Sequence, residues 1–184
     1  TSVSRGLGDV YKRQIQIVGY DNDKEVRKRA KRIGLCEIES NIEKALNDCN
    51  LIILCVPVGQ MHPVIQKLKN FIEPGTIITD VGSVKLSVIK ELEAHTEDAK
   101  GKFVPSHPIA GTEKSGPDAG YAGLFEGRWC ILTPTKKTNK KALKSVEIFW
   151  RFLGMQTKIM TPEHHDLVLA LSLIHISEPT RHRG

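Results

Sequence analysis

The sequence lacks several features that would each point to a special class of protein. Its longest apolar run, Leu51 to Val58, is far shorter than the roughly 18 to 20 residues that cross a bilayer. Its 4 cysteines show neither Cys-x-x-Cys spacing nor a cluster with histidines, so we predict no metal site and no disulfide framework. The first residues do not show the basic, apolar and small-residue pattern of a signal peptide, so none is expected. We therefore expect a cytoplasmic protein without a membrane segment, whose cysteines are small buried hydrophobic residues.

Positive charge is present but dispersed. The formal net charge is +6 at pH 7, and half of it lies in the first 14 and last 12 residues. The other basic residues are spread over predicted helix faces, without a basic patch flanked by aromatic residues, so nucleic-acid binding is not expected. A mild positive field also suits a small anionic substrate.

Both ends differ in pattern from the residues between them. Residues 1–14 and 173–184 resemble translated sequencing-adapter read-through, and we predict that they are not native. The turn Gly6-Leu7-Gly8 lacks a preceding strand and has Tyr11 where a third glycine would fall. It is therefore not predicted to bind phosphate.

Strand and helix patterns alternate through residues 15–160. The strands are predicted at 15–21, 51–56, 76–81, 103–104, 129–132 and 156–160, and the helices at 24–34, 42–47, 59–71, 85–94 and 140–153. A capping box from Ser40 to Glu43 is predicted to start the second helix. This alternation predicts an α/β fold with a doubly wound parallel sheet. Thr161-Pro162-Glu163 predicts a further helix over 161–172, the first part of a helical domain.

Ligands bind at the carboxyl ends of the strands in such folds. Asp21 follows the first predicted strand, where its carboxylate could hold both hydroxyls of an adenosine ribose and would favour NAD over NADP. A turn or capping role explains Asp21 equally well. Residues 55–58 and 80–83 follow two further strands, and there Gly82 permits close backbone approach while Ser83 offers a hydroxyl. A tight strand-to-helix turn is the alternative at both places.

Polar and small residues crowd the segment from His107 to Gly116, which predicts an active-site loop. An imidazole titrates near neutral pH, so His107 is the best candidate for proton transfer, with a structural loop histidine as the alternative. His165 is predicted in the first turn of the last helix. There it could bind an anionic substrate group, or it could be a capping or solvent-facing residue.

Several motifs together resemble the prephenate dehydrogenase family, including cyclohexadienyl dehydrogenases that also accept arogenate. These motifs are Gly19–Asp21, Cys55–Val58, Asp80–Lys85, His107–Gly116, Leu124–Trp129 and Thr161–Asp166. The resemblance covers roughly residues 15 to 172. It implies a Rossmann-like domain and NAD-dependent oxidative decarboxylation of prephenate to 4-hydroxyphenylpyruvate in tyrosine biosynthesis, with arogenate as an alternative substrate.

The resemblance also implies roles for individual residues. His107 would accept the proton of the substrate hydroxyl, and Ser83 would orient His107, the substrate and the nicotinamide. Asp21 would hold the adenosine ribose. The cofactor cleft would be lined by Val56, Pro57 and Val58, and the substrate pocket would be bordered by Thr112, Glu113 and His165.

The sequence departs from the family pattern at both ends. The first strand with its Gly-x-Gly-x-x-Gly turn is absent, as is the helical second domain through which the full-length protein would form a homodimer. We therefore predict that the 184-residue chain has little or no activity by itself. The alternatives are another Rossmann-type hydroxyacid or imine reductase, or a non-catalytic dinucleotide-binding module.

Overall fold

Short strands and helices alternate along the chain in a computed structural model that describes residues 15–98, 102–111 and 116–177. The strands are β1 (Val18–Gly19), β2 (Glu37–Ile38), β3 (Leu51–Leu54), β4 (Ile77–Asp80), β5 (Lys102–Val104), β6 (Ser106–Pro108), β7 (Trp129–Leu132) and β8 (Gln156–Ile159). The α-helices are α1 (Lys24–Arg32), α2 (Ile42–Leu46), α3 (Met61–Leu68), α4 (Lys85–Asp98), α5 (Lys140–Phe152) and α6 (Pro162–Ser177). Two 3₁₀ turns, Val58–Gln60 and Pro117–Ala119, complete the described elements.

Parallel pairing dominates the sheets. β1 pairs with β2, β4 lies between β3 and β5, and β7 pairs with β8, all in parallel. The predicted α/β class with a Rossmann-like parallel arrangement is confirmed. The prediction of a parallel sheet is wrong in one respect, because β6 runs antiparallel to β7.

Pro105 separates β5 from β6 and changes the partner of the chain. Val104 is in register with Thr79 of β4, whereas His107 is in register with Ile131 of β7. Proline has no N–H and cannot donate to a ladder, so the switch falls at this residue. His107 therefore lies on a short strand, and its predicted location in a loop is wrong.

Both faces of the β3–β4 ladder are covered. Ile52 and Ile78 are buried in a cluster with α3 and α4, which contribute Met61 and Leu92 among others. On the other face, Leu51 and Ile77 pack against a second cluster that includes Val104, Cys130, Val146 and Trp150. Burial on both faces explains why β3 is a continuous apolar run and why β4 begins with two isoleucines.

The helix starts follow the local capping chemistry. Asp23 Oδ1 accepts a hydrogen bond from Glu25 N at 2.7 Å, and Thr161 Oγ1 accepts one from His164 N at 3.2 Å, as predicted. The predicted capping box of α2 is wrong, because Asn41 Oδ1 takes this role with Glu43 N at 2.8 Å. The last helix runs to Ser177, beyond the predicted boundary at residue 172.

The cysteines are only partly as expected. All four are free: Cys130 is buried, Cys36 and Cys49 are half-buried, and Cys55 is exposed, so the prediction of burial is wrong for Cys55. Within the described ranges, no helix has the length and apolar character needed to span a bilayer.

Candidate active site

Two of the predicted site residues meet at the start of α6. His107 on β6 and His165 on α6 are 58 residues apart in sequence, yet His107 Nδ1 lies 2.9 Å from His165 Nε2. Their rings pack edge to face, with centroids 5.1 Å apart and an interplanar angle of 75°. His165 is only 2% exposed, so it is not the solvent-facing residue considered as an alternative, whereas His107 is half-buried.

Asp166 extends this contact into a chain of three residues. Its Oδ1 lies 2.7 Å from His165 Nδ1. The same carboxylate caps α4, because Lys85 N donates to Oδ1 at 2.8 Å and Leu86 N donates to Oδ2 at 3.0 Å. Burial alone would raise the pKa of Asp166, but the two backbone N–H groups and His165 outweigh it and hold the pKa below its usual value. Asp166 is therefore an ionised acceptor.

The hydrogen-bond chain assigns the protons on both rings. An ionised Asp166 accepts, so His165 Nδ1 carries a hydrogen and neutral His165 presents the lone pair of Nε2. His107 Nδ1 must then donate to His165 Nε2. In this tautomer His107 Nε2 bears a lone pair, as a general base requires.

The surroundings of His107 favour its neutral form. The pKa of His107 is lowered from 6.5 to about 4, chiefly by burial and to a smaller extent by His165 and Lys85, with Asp166 opposing the shift. The imidazole is accordingly an acceptor at neutral pH.

A buried polar cluster that the sequence did not predict lies next to His107 in the chain and beneath it in the fold. Its members Thr79, Asp80, Lys85 and Ser106 are all 0% exposed. Lys85 Nζ forms an ion pair with Asp80 Oδ2 and donates to Ser106 O at 2.6 Å. The signal available in the sequence was an aspartate at the end of an apolar strand, followed by a lysine at the start of the next helix.

Asp80 is held as a carboxylate by its contacts. In addition to Lys85, Gly82 N donates to Oδ2 at 2.8 Å and Ser106 N donates to Oδ1 at 3.1 Å. Burial raises the pKa of Asp80 and lowers that of Lys85, and the contact between them opposes both shifts. Every described contact to the Asp80 side chain is a donor, which favours the ionised form.

Ser106 is fixed on all sides. Its hydroxyl donates to Asp80 O at 2.6 Å, lies 2.8 Å from Thr79 Oγ1, and accepts from Trp150 Nε1 at 3.2 Å. Ser106 immediately precedes His107, so the backbone leading into the imidazole is held in a single position.

The residues predicted to bind the cofactor follow the strands as expected. Asp21 is exposed two residues beyond β1, but its Oδ1 also accepts from Asp23 N at 2.8 Å, so the alternative turn role is filled as well. Pro57 is exposed after β3, while Val56 and Val58 are half-buried against the first core cluster. Ser83 is exposed between β4 and α4 and, among the described residues, forms no hydrogen bond with His107.

This set of groups fits a dinucleotide. An exposed carboxylate suits ribose hydroxyls, and half-buried valines beside an exposed proline suit a flat ring system. Thr112 and Glu113 lie outside the described residues. In the described ranges, no group of three or more histidine, cysteine or acidic side chains could hold a metal ion.

Comparisons with known proteins identify the family of the chain. Residues 9–159 match the family model described as the nucleotide-binding domain of prephenate dehydrogenase. The chain is 41% identical to a cyclohexadienyl dehydrogenase of Zymomonas mobilis over 154 residues, which cover 83% of this chain and 52% of the relative. It is 30% identical to a prephenate dehydrogenase of Bacillus subtilis, covering 87% of this chain and 46% of the relative.

A solved structure is similar over the same region. The prephenate dehydrogenase of A. aeolicus, in complex with hydroxyphenyl propionate and NAD+, superposes with a TM-score of 0.75 at 36% identity. The match covers 91% of this chain and 63% of that one. The chain thus spans about half the length of these curated relatives.

Proposed function

Because this chain belongs to the prephenate dehydrogenase family, we propose that it supplies the nucleotide-binding half of an enzyme for NAD-dependent oxidative decarboxylation of prephenate. Arogenate is the alternative substrate. The observation that carries the proposal is the chain from Asp166 through His165 to His107, which leaves a lone pair on His107 Nε2.

In this proposal His107 removes the proton from the ring hydroxyl of the substrate. NAD supplies the hydride acceptor for the carbon that bears this hydroxyl, and loss of carbon dioxide then makes the ring aromatic. His107 receives the proton at Nε2 while Nδ1 continues to donate to His165. The imidazolium that forms is stabilised through His165 by the Asp166 carboxylate, so no proton needs to travel along the chain.

His165 supports His107 in this scheme. Both of its ring nitrogens have protein partners and the residue is 2% exposed, so its geometry favours orientation of His107 over direct contact with substrate. We propose that Thr112 and Glu113 border the substrate pocket and that Ser83, exposed at the start of α4, contacts the nicotinamide side of the site.

We further propose that NAD is preferred over NADP. Asp21 would hold the ribose hydroxyls and repel a 2'-phosphate. The nearby cation Arg27 donates to the backbone carbonyls of Asp21 and Asn22, so its guanidinium is engaged by the turn. Val56, Pro57 and Val58 would line the cleft.

The cofactor preference is testable by calorimetric titration of NAD+ and NADP+ into this chain with residues 1–14 replaced by the corresponding N-terminal segment of the Zymomonas relative. Asp21→Asn should weaken NAD+ binding about tenfold and reduce the discrimination against NADP+. Asp48→Asn is the matched control, because it removes the same charge from an exposed loop residue between α2 and β3. Equal effects of the two substitutions would contradict the role of Asp21.

Residues 15–160 would then form the nucleotide-binding domain, and α6 would lead into a helical domain that completes the substrate pocket and the homodimer interface. Activity is tested by replacing residues 1–14 with the corresponding N-terminal segment of the Zymomonas relative, joining the chain within α6 to the remaining half of that relative, and measuring prephenate-dependent NADH formation. The fusion should be active and its His107→Asn variant should lose about a thousandfold or more in kcat, whereas the unfused chain should be inactive. Full activity in His107→Asn would refute the assignment, and turnover by the unfused chain would refute the predicted inactivity.

A further inference from the structure

The buried pair of Asp80 and Lys85 lies outside every role assigned so far. Both side chains are 0% exposed, although a buried ion pair adds little net stability because desolvation of two charges offsets their attraction. Lys85 is also the first residue of α4, where the helix dipole disfavours a cation. Stability alone therefore does not account for a lysine at this position.

Contacts of the pair lead to His107. Lys85 Nζ donates to Ser106 O at 2.6 Å. Asp80 accepts from the N–H of the same serine through its side-chain Oδ1 at 3.1 Å and from the serine hydroxyl through its backbone carbonyl at 2.6 Å. The two charged side chains thus hold the backbone N–H and C=O of Ser106, while its hydroxyl is held by the backbone of Asp80. Because the next residue is His107, the orientation of its imidazole towards His165 Nε2 depends on these contacts to Ser106.

We propose that Lys85, paired with Asp80, is a positioning residue that fixes the strand carrying His107 and, through its charge, keeps the His107 imidazole neutral as a proton acceptor. The proposal rests on the proposed function in that it gives His107 the role of base. Lys85 acts on His107 in two ways, through its hydrogen bond to Ser106 and through the electrostatic effect of its charge.

The groups facing His107 come from three elements. His165 and Asp166 face it from α6 and Lys85 from α4, while Cys130 of β7 lies beside the pair with its own pKa raised by burial to about 12. The neutral thiol adds no charge. Lys85 lowers the pKa of His107, whereas Asp166 raises it. Removal of the Lys85 charge should therefore let His107 gain a proton more easily.

The test is an NMR titration of the His107 ring in the purified chain, which requires neither cofactor nor substrate. In Lys85→Met the midpoint of His107 should rise by about one pH unit, and the ring should shift from the Nδ1–H tautomer towards a mixture. Lys90→Met is the control, because it removes an exposed lysine from the same helix and should leave both signals unchanged.

A second variant guards against misfolding. The double substitution Asp80→Asn with Lys85→Gln keeps polar side chains at both positions without leaving a buried charge unpaired, and it should also raise the midpoint. An unchanged midpoint and tautomer in folded variants would overturn the proposal. Failure of both variants to fold beside a folded Lys90→Met would also overturn it, because the pair would then serve the fold alone. Absence of prephenate turnover, by contrast, would count against the proposed function and leave this titration unaffected.

Discussion

Acid should destabilise the chain through His107. The pKa of His107 is lowered from 6.5 to about 4 in the folded chain, chiefly by burial. As the pH falls from 6.5 towards 4, the unfolded chain binds a proton at this residue while the folded chain does not. Unfolding is therefore favoured by acid, and the contribution of His107 is fully present above pH 6.5 and lost as the pH falls through 4.

The size of the effect follows from the two values. Their difference corresponds to an upper limit of about 3.4 kcal/mol below pH 4, of which about 2 kcal/mol is reached at pH 5. His107 is only half-buried, and solvent screening should reduce the loss at pH 5 to about 1 kcal/mol.

Urea unfolding of the wild-type chain and His107→Asn, at steps from pH 8 to pH 5, measures this loss. Other groups titrate in the same range, but they are common to both proteins, so the difference in unfolding free energy isolates His107. The difference in unfolding free energy between the wild type and the variant should be constant between pH 8 and 7. By pH 5 the wild type should have lost about 1 kcal/mol of unfolding free energy relative to the variant. Parallel curves over the whole range would refute the reasoning.

Three further substitutions test the packing and capping around the site, each by urea unfolding. Gly82→Ala should lower the free energy of unfolding by about 1–3 kcal/mol, because the new Cβ would lie 3.0 Å from Asp80 Oδ2 and 3.1 Å from Met61 Cε. Gly59→Ala is the control and should be nearly neutral, because nothing lies within 4 Å of its new Cβ. Equal losses in the two variants would contradict crowding at Gly82. Asp166→Ala should cost about 1–2 kcal/mol through loss of the α4 cap, and a neutral result would show that water replaces the carboxylate. Trp150→Phe should lower the free energy of unfolding by about 1–2 kcal/mol, and Trp150→Ala should lower it by roughly 3–5 kcal/mol. Similar losses in both variants would mean that the hydrogen bond from the indole N–H to Ser106 contributes more than packing of the ring.

Long apolar runs made most of the fold predictable. β3 and β4 are recognisable because both of their faces are buried, and β7 for the same reason at its inner residues. β2 and β6 were missed because their two or three residues form neither a periodic pattern nor an apolar run, whereas Phe103 and Val104 marked the equally short β5. In β6 the sequence Ser-His-Pro also argues against a strand, since proline weakens a ladder.

The site was predictable residue by residue but not as an arrangement. His107 and His165 were each singled out by local chemistry, yet nothing local indicates that rings 58 residues apart are in contact. Lys85 was overlooked because lysines are almost always solvated, and its burial follows only from the position of Asp80 and Ser106.

Two neighbouring residues of α6, His165 and Asp166, contact different elements of the site. Successive residues of an α-helix are separated by about 100° around the axis, and here His165 reaches β6 while Asp166 reaches the start of α4. Insertion or deletion of one residue between Pro162 and His165 would turn both side chains away together. This short stretch should therefore tolerate substitutions far better than changes in length.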